Sequence, residues 1–197
     1  MNESSISAES QQPPEVWLRG NTRLAIMLGG AAVVLDGAAV VMVMAAGARD
    51  AAPAWWAAAA IAAVTASGLM LLAWAAARPR IVRQGDRLLV QVAPLTRREV
   101  PIDVVECFFP GSNPLDATGS PTCGEHATFR VGTLVIRLAE RALDYRAGET
   151  FSPWASWDDS YLVLDGRWCE PLSPVLVKDL GSRLVAAKRS VMAGANA

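Results

Sequence analysis

The 197-residue sequence predicts a membrane α-helical hairpin joined to an α+β domain of about seven short strands and a closing amphipathic helix. Three observations predict it. Apolar residues are concentrated between Leu24 and Ala77, almost uninterrupted by charge. After Arg80 the pattern changes to alternation broken by Gly-, Pro- and Asp-containing turns. From Ser173 onward, apolar residues recur at helical spacing.

Composition sets the bounds. Hydrophobic residues make up 52% of the chain and charged residues 19%, against about 25% charged in an average soluble domain. The part outside the apolar block is roughly 120 residues, enough for one modest core. The net charge of −1 provides no field that would favour nucleic acid, so no nucleic-acid partner is expected. The three cysteines, Cys107, Cys123 and Cys169, are odd in number and irregularly spaced, which is not a disulfide framework. No repeat at a fixed period is present.

Residues 1–22 read as a flexible, polar N-terminal segment. Residues 23–78 read as the hairpin, with helices over 24–48 and 54–77. At ~1.5 Å per residue each is long enough to cross a hydrocarbon core of ~30 Å. Trp55 and Trp56 lie at one end of the second helix and Trp74 near the other, as an aromatic belt requires. A pair of buried core helices is the alternative, but the remaining domain is too small to cover both. A signal peptide is disfavoured because the apolar run is too long and a polar stretch precedes it. Arg19 and Arg23 flank one side, and Arg78, Arg80, Arg83 and Arg87 the other; the loop between the spans has one Arg and Asp50. The positive-inside rule then predicts a multi-pass inner-membrane protein with both termini cytoplasmic and its thiols reduced.

Asp36 interrupts the first span. In an antiparallel hairpin it lies level with the second span's hydroxyls, Thr65 and Ser67, and it shares a stripe with Gly29, Ala32 and Ala39. Asp36, Thr65 and Ser67 are therefore candidates for helix packing, with Asp36 protonated or hydrogen-bonded to one of the hydroxyls. A proton path is the competing reading of an intramembrane acid, but neither span holds a second acid, a base or a His. A contact with another subunit is the third.

The domain over 79–190 begins with strand, turn, strand in "RIVRQGDRLLVQV", turning at Gln84-Gly85-Asp86. Two more runs follow in "LTRREVPIDVVECFF", with Pro101 at an edge or break. Residues 110–125 read as a long loop, "HATFRVGTLVIRLAER" as a strand with a bulge at Gly132, and Gly148 to Asp159 as a second loop. "SYLVLDGRW" is a strand leading into a turn at Asp165-Gly166. Ser173 caps a helix over 174–190 that starts at Pro174 and aligns Leu176, Leu180, Leu184 and Ala187. Residues 191–197 are a tail.

The first hairpin with its basic turn and "PIDVV" strand, together with the helix "PVLVKDLGSRLVAAKRS", resembles bacterial membrane proteins with a PH-like domain. The resemblance spans about residues 20–190 and implies a PH-like β-barrel or sandwich that acts in protein interaction or assembly. It implies no catalytic residues.

The remaining constellations are weighed on chemistry. Cys123, Glu125 and His126 with Cys107 and Cys169 would offer zinc ligands, but with a single His and scattered thiols no metal is expected. Asp158 and Asp159 are adjacent and so point apart in a strand. No phosphate-binding loop or nucleophile elbow occurs, so neither catalysis nor a cofactor is expected. Trp154 and Trp157 are either core or an anchor for a partner. Arg78, Arg80, Arg83 and Arg87 either fix topology or contact anionic lipid headgroups. The expected function is that of a membrane-anchored interaction or scaffold protein. Its partners would be the lipid bilayer and another membrane or cytoplasmic protein, with a homo-oligomer as a further possibility. A lipid- or signal-sensing regulator is the alternative, and a membrane-bound enzyme comes third.

Overall fold

A computed structural model of the chain describes residues 13–47, 53–114, 130–145 and 148–195. It divides into two compact units. Gly20–Arg78 forms one, and Met1–Arg19 with Pro79–Ala197 forms the other.

The first unit is a helical hairpin, α1 (Thr22–Gly47) and α2 (Pro53–Ala77). Both are long and apolar enough to cross a membrane, and only 11% and 17% of their apolar windows are buried inside the protein. A core helix of a soluble domain would be buried over most of its length, whereas these two leave most of their apolar surface uncovered. The seam between the helices is made of small side chains. Ala32 and Ala39 on α1 are buried against α2, which buries Ala59, Ala66, Ala73 and Ala76. Half-buried Leu28, Leu35, Ala62 and Leu69 lie between them. On each helix these positions step by three and four, a heptad seam, and alanine at every seventh residue lets the backbones approach. At the open end of the hairpin, Gly20 is required by close approach: a Cβ there would run into the backbone oxygens of Ala76 and Arg78.

The second unit holds two antiparallel four-stranded sheets, in the orders β1-β2-β3-β4 and β5-β6-β8-β7. The strands are β1 (Glu15–Leu18), β2 (Ile81–Gln84), β3 (Arg87–Gln91), β4 (Arg97–Pro101), β5 (Val105–Pro114), β6 (Arg130–Leu138), β7 (Ala155–Asp158) and β8 (Tyr161–Asp165), closed by α3 (Pro174–Ala195). Alternation buries one side of each sheet. Leu88, Val90 and Val100 of the first sheet and Leu134, Ile136, Leu162 and Leu164 of the second join Val177, Leu180, Leu184 and Ala187 of α3 in one core. The β2–β3 turn is tight, with Gly85 at φ 62°, a conformation glycine adopts freely. The cap of α3 is as the sequence predicts: Leu176 N–H donates to Ser173 Oγ at 3.1 Å.

Several expectations need correction. Residues 15–18 are not part of a flexible segment: they form β1, which pairs antiparallel with β2. The hairpin is thus inserted between two paired strands of the same sheet. Residues 110–114 belong to β5 and not to a loop, and the region after Gly148 contains β7. The strand irregularity falls between Val105 and Cys107, whereas Gly132 pairs in register with Ser112. Glu106 is the extra residue, on β5, and Gly132 is not a bulge.

Candidate functional sites

The four basic candidates at the domain's start have separate fates. Arg78 lays its guanidinium 3.5 Å from the centroid of the Trp74 ring, a cation–π contact at the end of α2. Arg80 is fully buried, which corrects its assignment to lipid headgroups. Its backbone N–H donates to Leu18 O at 2.8 Å, just before β2 begins. Its side chain turns inward, 4.4 Å above the Trp154 ring, and donates to Trp154 O at 3.2 Å. Burial lowers its pKa, opposed by Cys169 and Asp165. Arg83 is half-buried and donates to Gly85 O and to Ser190 Oγ, both at 3.0 Å. Arg87 is exposed and bonds Glu99 at 2.8 Å. No shared basic surface comes out of this group, because one member lies in the core and the other three are engaged by neighbouring protein groups.

The tryptophans are likewise internal. Trp154 is 0% exposed, so it is a core residue and not a partner anchor. It stacks on Trp168 with ring centroids 4.1 Å apart. Trp157 is half-buried, packs against the core, and donates from Nε1 to Tyr145 O at 3.1 Å. Beneath Trp168, Cys169 is buried; burial pushes its thiol up to about 11, with Arg80 opposing. At neutral pH it is an inert thiol. Cys107 is exposed. Asp158 and Asp159 are both exposed, and Asp159 sits in a left-handed turn at φ 47°. Among the described residues no cluster of His, Cys, Asp and Glu is arranged to hold a metal. Cys123, Glu125 and His126 lie outside the described residues.

Asp36 is exposed on the side of α1, not in the seam. Its depth is as expected. A Cβ at Gly29 would lie 3.9 Å from Ala73 Cβ, so counting seven residues along each antiparallel helix sets Asp36 level with Ala66. Thr65 and Ser67 flank that level. Yet both turn back onto their own helix: Thr65 Oγ1 donates to Ile61 O at 2.8 Å and Ser67 Oγ to Ala63 O at 2.9 Å. Among the described residues Asp36 has no hydrogen bond with either, so the proposed packing contact within one chain does not form.

One feature escaped the sequence reading. A groove of about 850 Å³ runs between β5 and α3, lined by Phe108, Pro110, Val177, Lys178, Val185 and Arg189 among others. β5 is an edge strand of its sheet, and Val185 is 49% exposed despite its place beside core residue Leu184. The signal was present in the sequence as apolar Val185 lying off the main stripe of α3. Lys178 and Arg189 make the helix rim basic, while Glu106 on the strand rim is held by Arg137 at 2.9 Å.

Comparison with protein-family models, with characterised proteins and with solved structures returns no match.

Proposed function

We propose that the chain is a membrane-anchored, non-catalytic interaction protein whose cytoplasmic domain, PH-like in its two antiparallel sheets and closing helix, docks an extended acidic segment of a partner in the groove between β5 and α3. The observation that carries this reading is the groove itself. It joins an unpaired strand edge, an apolar floor and a basic rim, the combination needed to add a strand from another chain and hold its side chains. The exposed apolar helices support the membrane anchor, and the outer arginines support an inner-membrane protein with both flanks of the hairpin in the cytoplasm.

The test is site-specific photocrosslinking in cells. A benzoyl-phenylalanine replacing Val185 is expected to capture a discrete partner band from the membrane fraction, and one replacing the exposed Leu95 is not. Equal yields at the two positions would reject the groove as the docking site. Extraction of the chain from membranes by alkaline carbonate would reject the anchor.

A further inference from the structure

We infer that the hairpin self-associates as a two-fold symmetric dimer in which Asp36 of each copy is held by Ser67 of the other, an inference that rests on the membrane reading above. The starting point is a carboxyl at mid-span on the outer flank of α1, with no partner among the described residues. Acids at that depth pair with other polar groups and rarely face lipid. Neither span, 24–48 or 54–77, contains a Lys, Arg or His, so the complement must be a hydroxyl or come from another chain.

Geometry selects which hydroxyl. Each residue turns about 100° around its helix axis. Asp36 follows seam residue Leu35, and Ser67 follows seam residue Ala66, whereas Thr65 precedes Ala66. In an antiparallel pair, this puts Asp36 and Ser67 on one flank of the hairpin and Thr65 on the opposite flank. Within one hairpin, Asp36 and Ser67 are on different helices, both pointing outward, and do not meet. A second hairpin in the same orientation, rotated by a two-fold axis along the membrane normal, lays its α2 beside the first copy's α1. The result is an up-down four-helix bundle, closed and isologous. Residues of equal depth then face each other, so Asp36 meets Ser67 of the second copy, twice by symmetry. The same flank has Gly29, Ala60 and Ala63, whose small side chains permit close approach, and Val33 and Val40, which are 63% and 52% exposed in the single chain. While Ser67 Oγ donates to Ala63 O it can accept from a protonated Asp36, and to hold a carboxylate it would turn its one hydrogen from Ala63 O to Asp36.

The experiment is energy transfer between donor- and acceptor-labelled full-length chains reconstituted in phospholipid vesicles, read against protein density. Wild type is expected to dimerise. Asp36→Leu and Ser67→Ala should each weaken association on the order of threefold to tenfold, the scale of one or two intramembrane hydrogen bonds. Asp36→Asn, which keeps a hydrogen-bonding group, and Thr65→Ala, on the other flank, should stay within about twofold of wild type. A wild-type chain that is integral to the vesicles yet monomeric at every density overturns the dimer and leaves the anchor intact. So does a dimer indifferent to both Asp36→Leu and Ser67→Ala. A chain released from the vesicles by carbonate overturns the membrane reading itself.

Discussion

In the β domain the buried positions are filled by large side chains, among them Trp154, Ile81, Leu88, Leu134, Ile136 and Leu180. In the hairpin the buried positions are alanines, and the large side chains, such as Met27, Val34, Ile61 and Leu71, point outward. The difference is the one expected if the hairpin lies in a bilayer and the domain in water, as proposed above. In water, burying apolar bulk is the driving force, so bulk goes inside. In a bilayer the surroundings are as apolar as leucine, so helices associate through close backbone approach, and bulk goes outside. The domain should therefore fail when its buried residues shrink, and the hairpin when its buried residues grow.

The largest effect expected is from shrinking the domain core. Trp154→Ala removes a fully buried ring that stacks on Trp168 and underlies Arg80. It should cost about 3–5 kcal/mol, measured as loss of the domain's cooperative unfolding in detergent. A stable, cooperatively melting variant would contradict the assignment of Trp154 to the core. Next comes enlargement of the seam. Ala66→Leu should cost about 1–3 kcal/mol by overpacking, read as lost helical signal on heating, while Val64→Leu on the exposed face should change nothing measurable. Equal tolerance at both positions would break the contrast drawn between the two parts.

Arg80 sharpens it further, since it is a charge in the water-soluble core. Among the described residues its Nε and Nη1 have no hydrogen-bond partner, and an unbranched apolar side chain can fill its volume. Arg80→Met is expected to shift stability by no more than about 1 kcal/mol in either direction. A large loss would mean that the charge, and not the volume, holds the site. The smallest effect belongs to the surface. Glu99→Gln breaks the bond to exposed Arg87, and the melting temperature should be unaffected, because solvent and salt screen such pairs. Thiol labelling of a Cys123→Ser chain completes the set. Cys107 should react at neutral pH and Cys169 only on unfolding. Because Cys169 is held above an ordinary thiol, its contribution to stability is present below the unfolded thiol's pKa and falls as pH rises through that value towards about 11.

How much of this was legible in the sequence differs between the same two parts. The two long helices were legible from apolar runs broken by a single charge, and the level of Asp36 was legible because it follows from counting residues along two helices. Its flank was not legible. That depends on which alanines form the seam, and a helix rich in alanine offers several equivalent faces. In the domain, the capped helix and the Gly85 turn were readable because their signals are local. β1 was not, because its partner β2 lies beyond the entire hairpin. Pro110 and Pro114 masked the end of β5, although an edge strand tolerates proline. Arg80 was read by its charge, but the Leu18 hydrogen bond, invisible in sequence, turned its side chain inward. The groove was not legible for a related reason: Val185, off the main stripe of α3, gains meaning only once β5 lies beside it.

The pairing of β1 with β2 has a consequence for biogenesis. β1 is synthesised before either span, and the strand that completes it only after both. For a hairpin that crosses a bilayer, the ladder can close only once the chain has gone out and come back, because Leu18 and Ile81 must meet on one side. A single failed crossing would strand Trp17 and Leu18 across the membrane and leave a gap in the core they help to fill. Loop closure over so long a connection is entropically modest, but it is conditional on insertion. On the membrane reading proposed above, the β domain would proofread its own topology: a wrongly threaded chain would also be an unfolded one, exposed to the proteases that clear such species.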